Sequence, residues 1–122
     1  MVIADDHPLF SEALALILEA YGIAVVGRAA DGAEAVALTR ALRPDVVLMD
    51  VHMPTMNGIE ATRRILRERH AVRVLVVSAS TAPADVEAAR RAGASAYLVK
   101  DCPPGELVRE ITAAAPVAAT AA

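Results

Sequence analysis

A chain of 122 residues fits one domain, and its 56% hydrophobic but only 2% aromatic composition supplies a core that must be built from Ala, Val, Leu and Ile. A net charge of −3 without a basic run gives no ground for nucleic-acid binding by this segment, and a single cysteine rules out an internal disulfide. No apolar run approaches the ~18 residues of a membrane span, and no charged leader precedes an apolar signal core, so a soluble, cytoplasmic α/β domain is expected.

The chain opens on V-I-A-D-D-H-P-L-F. Val2–Ala4 reads as a first strand, short enough to leave room for residues before Met1. Asp5 and Asp6 follow side by side. Two unit charges about 4 Å apart repel by about 4 kcal/mol at an effective dielectric of about 20, so something positive is expected beside them. Pro8 suits the first turn of a helix and Gly22 its stop. Leu9, Ala13, Leu16, Ile17 and Ala20 share one helical face, expected to point at the core. Leu14, Leu18 and Tyr21 form a second stripe, expected outside.

Ala24–Ala30 reads as the second strand. A helix is expected from Gly32 to Leu42, opened by the capping box Asp31 and Glu34 and followed by Pro44. Val46–Met49 is the third strand, ending at Asp50. The third helix should run from about Gly58 to Arg69 with Ile59, Thr62, Ile65 and Leu66 inward; His70 at its end suits the helix dipole. Arg63, Arg64, Arg67 and Arg69 read as its solvated face. Val74–Val77 is the fourth strand, closed by Ser78, and the next helix runs from Pro83 to Ala92 with Val86 and Ala89 inward. Tyr97–Val99 is the fifth strand, closed by Lys100. A fifth helix starts near Pro103 with Leu107, Ile111 and Ala114 on one stripe and Val108 beside it.

Five strand–helix repeats with near-continuous apolar strands predict a three-layer, doubly wound parallel sheet. The domain is expected over 1–115, with 116–122 as a tail or the start of a linker, since Pro116 argues for a break.

In such sheets, ligands sit beyond the carboxyl ends of the strands, near the switch in strand order. In the flavodoxin-like order 2-1-3-4-5, the first and third strands are neighbours, so Asp5, Asp6 and Asp50 converge. Three oxygen donors suit Mg²⁺, with Mn²⁺ as a substitute. Ser78 and Lys100 end strands on the same side. A lysine and a hydroxyl facing a carboxylate make a site for a dianionic phosphoryl group, with Asp50 as nucleophile. Taken singly, each residue has a plainer reading: an acidic pair caps helices, a strand-end lysine is solvated, a serine bonds to backbone.

Together, V-I-A-D-D-H-P-L-F, M-D-V-H-M-P-T-M-N-G-I-E-A-T and R-A-G-A-S-A-Y-L-V-K-D resemble the response-regulator receiver domain of two-component systems, in its NarL/FixJ-type (LuxR-like) branch. The resemblance implies that Asp50 is the phosphoacceptor, that Asp5, Asp6, Asp50 and the backbone carbonyl of His52 hold the metal, and that Lys100 contacts the phosphoryl group. It also implies a switch in which Ser78 moves inward and Tyr97 follows. A sensor histidine kinase would be the donor. DNA would be reached only through a C-terminal helix-turn-helix domain outside this segment, and the chain would be no enzyme beyond its own phosphorylation and dephosphorylation. A stand-alone receiver acting by protein binding, in chemotaxis or a phosphorelay, is the alternative.

A phosphatase or nucleotide binder on this fold is disfavoured, because Asp50 is followed by Val51-His52 rather than a second spaced acid and no glycine-rich phosphate loop occurs. Two departures from the family stand out: Asp101 follows Lys100 where proline is frequent, and Thr55 replaces a frequent glycine. His52 and Ser80 flank the expected phosphoryl position. His7 reads as a helix cap and Cys102 as an ordinary loop thiol. The second stripe on the first helix, with Val108 on the fifth, raises a homodimer through helices one and five as a hypothesis.

Overall fold

The computed structural model describes residues 1–69 and 71–113. The expectations for His70, for Ala114 and for the tail and domain boundary near 115 lie outside the described residues. Ten elements alternate: β1 Val2–Ala4, α1 Pro8–Ala20, β2 Gly27–Ala29, α2 Gly32–Leu42, β3 Val46–Met49, α3 Gly58–Glu68, β4 Arg73–Ser78, α4 Pro83–Ala92, β5 Ala96–Val99 and α5 Pro104–Ala113. The sheet is parallel, in the order β2-β1-β3-β4-β5.

Each strand feeds both faces of the sheet, which is why the strands read as continuous apolar runs. Val2, Val47, Met49 and Val74 pack on the α2/α3 side with Ala35, Ala61 and Ile65. Ile3, Leu48, Leu75 and Val77 pack on the α1/α5 side with Leu14, Leu18, Leu107 and Ile111. β2 is shorter than the Ala24–Ala30 run. Among the described residues it is an edge strand paired with β1 alone, which offers three residues, and Val26 just before it is exposed.

The faces of two helices correct the sequence reading. On α1 the buried residues are Ser11, Leu14 and Leu18, while Leu9 is 83% and Leu16 65% exposed. The helix carries two apolar stripes, so periodicity alone does not choose between them. The charges do: Glu12 lies three residues after Leu9 and four before Leu16, and Glu19 three after Leu16, so both acids share the outward face. The stripe assigned to a homodimer is therefore core at Leu14 and Leu18, leaving only Tyr21 exposed. On α4, Ala89 is buried as expected but Val86 is exposed; the inward stripe is Asp85, Ala89 and Ala92.

The helix ends follow local chemistry. The Asp31 side chain accepts from Glu34 N–H at 2.8 Å, and Glu34 Oε1 accepts from Ala30 N–H at 3.1 Å. Asn57 caps α3 through Glu60 N–H at 3.0 Å. Gly58 lets α3 start against the end of β3, since a Cβ there would lie 1.8 Å from the Asp50 carbonyl oxygen.

Candidate functional site

Backbone hydrogen bonds carry the strand ladders one step past the strands. Asp5 N–H donates to Ala29 O, Asp50 N–H to Ala4 O and Lys100 N–H to Ser78 O, each at 2.9 Å. The first residues beyond β1, β3 and β5 are thereby fixed at one rim. Asp5 and Asp50 are each 5% exposed. Buried carboxylates need partners, and Lys100 supplies them: its Nζ lies 2.7 Å from Asp5 Oδ2 and 3.4 Å from Asp50 Oδ2. The Phe10 ring lies beneath the ammonium, 4.7 Å to its centroid, and adds a cation–π contact.

Burial holds the Asp50 carboxyl above its ordinary value, and the Asp5 charge pushes the same way, against the pull of Lys100. Burial alone would depress the Lys100 ammonium, but its bonds to Asp5 and the charges of Asp50 and Asp5 outweigh it, so the group is held above its ordinary value.

Asp5, Asp6, His7 and Asp50 bring one ligand atom each within 4.8 Å of one another. Asp6 Oδ1 is buried without a hydrogen-bond partner, although His7 Nδ1 lies 3.1 Å from it at ion-pair distance. Three carboxylates, one of them with a buried oxygen that accepts no hydrogen bond, make an acidic cluster able to hold a metal ion, and the oxygen set suits a hard cation. His7 sits at the N-cap position of α1, but its side chain makes no cap bond. It turns instead to Asp5 Oδ1 and Asp6 Oδ1, at 3.1 Å each.

The side chains of the remaining expected residues bond to Ser80 and Asp85. Ser78 is 1% exposed, and its Oγ accepts from Ser80 N–H at 3.1 Å. Tyr97 is half-buried and donates its hydroxyl to Ser80 O at 2.8 Å, so the fourth and fifth strand ends are tied through Ser80. The His52 side chain leaves the acidic group and meets Asp85 Oδ2 at 3.2 Å; Ser80 Oγ donates to the same oxygen at 2.5 Å. These bonds hold the Asp85 carboxyl below its ordinary value, Ser80 contributing most. Burial, then Glu106 and Asp101, push the Cys102 thiol up, away from reactivity.

Sequence reasoning missed Phe10, Asp85 and the site role of His7. Asp85 left no signal beyond an acid in a first helical turn. His7 was visible as the residue after two acids, but its position before Pro8 spoke equally for a cap.

Comparison with known proteins agrees with this geometry. The response regulator receiver domain family matches residues 1–112. The probable transcriptional regulatory protein NarL of Mycobacterium tuberculosis is 40% identical over 112 residues, covering 91% of this chain and 52% of the relative. The nitrate/nitrite response regulator protein NarL of Escherichia coli is 36% identical over 116 residues, covering 94% and 54%. The chain thus spans about half the length of these relatives. The solved receiver domain of the M. tuberculosis NarL superposes with a TM-score of 0.86 at 40% identity, covering 92% of this chain and 91% of that one. A chain of the CheX–CheY–BeF3–Mg²⁺ complex from Borrelia burgdorferi superposes with a TM-score of 0.86 at 28% identity, covering 92% and 85%. With the strand order, the rim of acids facing a lysine and the match over nearly the whole length, the chain belongs to the response regulator receiver domain family.

Proposed function

We propose that this chain accepts a phosphoryl group on Asp50 from a phosphohistidine of a sensor histidine kinase and passes the change to an output. The observation that carries the reading is the bridge made by Lys100 between Asp5 and Asp50, beside a buried Asp6 oxygen that accepts no hydrogen bond. In the transfer, an Asp50 carboxylate oxygen forms a bond to phosphorus as the phosphorus–nitrogen bond breaks. The imidazole leaves with the electron pair and takes up a proton. Lys100, already directed at Asp50, neutralises charge on the incoming phosphoryl oxygens.

Asp5, Asp6, Asp50 and the His52 carbonyl are the groups that would hold Mg²⁺, a reading supported by the all-oxygen carboxylate set and by the Mg²⁺-containing relative. When bound, the ion supplies countercharge for the carboxylates and the phosphoryl oxygens. Ser78 and Tyr97 are the proposed switch. Both bond to Ser80, so an inward pull on Ser78 strains the loop that anchors the Tyr97 hydroxyl.

The two NarL relatives, about twice as long and named as regulators, favour a transcriptional output through a DNA-binding domain over a stand-alone role. A cytoplasmic location fits that reading. Among the described residues, no helix is long and apolar enough to cross a membrane. The homodimer hypothesis loses two of its three residues on α1, because Leu14 and Leu18 are core and only Tyr21 is exposed. Incubation with a small acyl phosphate, with Mg²⁺ or with chelator, tests the function: a phosphoryl adduct that needs the metal is expected, and its absence in both conditions would overturn the reading.

A further inference from the structure

The C-terminal ends of α2 and α3 meet around a cleft of about 210 Å³ whose walls include Val36, Thr39, Arg40, Arg43, Glu68 and Arg69. Helices in a parallel α/β layer run against the strands, so this cleft lies at the end of the molecule opposite Asp50. Three independent features mark it.

The first is a pair of orphaned polar atoms. Thr39 is 2% exposed, and its Oγ1 is buried with no hydrogen-bond partner. The other threonines in described helices, Thr62 and Thr112, donate to the carbonyl four residues back, at 2.7 Å to Gly58 O and 2.9 Å to Val108 O. Thr39 makes no such bond. Arg69 Nη1 is also buried without a partner. Buried polar groups of this kind are rare unless something bonds to them.

The second is charge. Arg40 is neutralised by a bidentate pair with Glu68, at 2.8 Å for both bonds. Among the described residues, neither Arg43 nor Arg69 makes an ion pair, so the cleft carries two uncompensated positive charges. The third is backbone conformation. Arg43 ends α2 at a φ of +51°, a left-handed conformation that glycine or asparagine adopts with less strain. A left-handed residue is an ordinary helix end, and here it is an arginine whose side chain lines the cleft.

We propose that this cleft binds a small dianionic oxyanion, a phosphate or a short dicarboxylate. The Arg43 and Arg69 guanidinium groups donate to its oxygens. The helix dipoles oppose an anion here with about half a unit of negative charge each, against two full positive charges. Two of the exposed carbonyls are already occupied: Arg43 N–H donates to Thr39 O at 3.0 Å and Arg69 N–H to Ile65 O at 2.8 Å. Val36 and Ile65 bound the space, which is smaller than the roughly 300 Å³ at which pockets for larger organic ligands begin.

The test is an NMR titration of the 122-residue chain with sodium phosphate and, separately, with disodium succinate, in chelator and at constant ionic strength. Saturable shifts of the Thr39, Arg43 and Arg69 signals are expected, with none from sodium chloride. Affinity should fall at least tenfold in Arg69→Gln and in Arg43→Gly. Arg43→Gly relieves the positive φ, so it should melt no lower than the parent while binding less, which separates loss of the site from loss of the fold. Saturation by phosphate alone, by succinate alone or by both assigns the ligand chemistry and supports the site. Linear drift without saturation, affinity unchanged in both variants, or shifts confined to Asp5, Asp50 and Lys100 would overturn it.

Discussion

Lys100 Nζ sits between two buried carboxylates, 2.7 Å from Asp5 and 3.4 Å from Asp50. One cation thus answers two like charges that the sheet forces together, because both acids are the first residues past adjacent strands. Removing it leaves those charges facing each other. Lys100→Ala should lower stability by about 2 kcal/mol in urea unfolding at neutral pH, less than for a fully dry pair because the lysine side chain stays 15% exposed. The lysine value is raised in the folded state, so its contribution is complete below the ordinary 10.5 and is lost as pH rises through the folded value. Millimolar Mg²⁺ should restore part of the loss. A loss below about 0.5 kcal/mol would contradict the bridge.

Asp50 carries the opposite sign. Its carboxyl is held above the ordinary 3.8 by burial and by Asp5, so ionisation works against the fold. Asp50→Asn should therefore raise the melting temperature at pH 7, by a gain on the order of 1 kcal/mol. The penalty is absent below the ordinary carboxylate value, builds as pH rises, and is complete above the folded value. The advantage of Asp50→Asn should grow from acid towards neutral pH and then level off. Equal melting temperatures at all pH values would show that Asp50 is not under charge stress.

The two faces of α1 can be told apart by substitution. Leu18→Ala should cost about 3 kcal/mol, as for a fully buried leucine, while Leu16→Ala should change stability by no more than about 0.5 kcal/mol. Leu14→Glu should unfold the chain rather than dissociate a dimer. Chemical denaturation of the three variants, with sedimentation of Leu14→Glu, checks the assignment.

The legibility of this molecule followed the strength of its local signals. Strands β1 and β3 and helices α2 and α4 were readable to the residue, because apolar runs, the Asp31 cap and proline starts mark their bounds. The placement of Asp5, Asp6, Asp50, Ser78 and Lys100 was readable because each follows or closes a strand, and a parallel sheet places such ends on one rim. The α1 face was not, since two apolar stripes satisfy the same period and only Glu12 and Glu19 break the tie. Nor was the bond from His52 to Asp85, which joins residues 33 positions apart. The Thr39–Arg69 cleft was also hidden: an arginine on a helix reads as solvated until its neighbours are known.

Thr55 occupies the loop after β3 at a φ of +67°, where its Cβ is strained. Glycine adopts this conformation without that strain. Thr55→Gly should stabilise the fold by about 0.5–1 kcal/mol, the relieved strain exceeding the added flexibility of the unfolded chain. Thermal melting measures it; a clear destabilisation would mean that the threonine side chain holds the loop.

The most direct test of the account is the site of phosphoryl attachment. The chain and its Asp50→Asn variant are incubated with a small acyl phosphate and Mg²⁺ and weighed by intact mass spectrometry. A single phosphoryl adduct on the parent chain and none on the variant is the predicted result. An adduct that persists in Asp50→Asn would contradict it, because the acceptor would then lie away from the rim where Asp5, Asp6 and Lys100 converge.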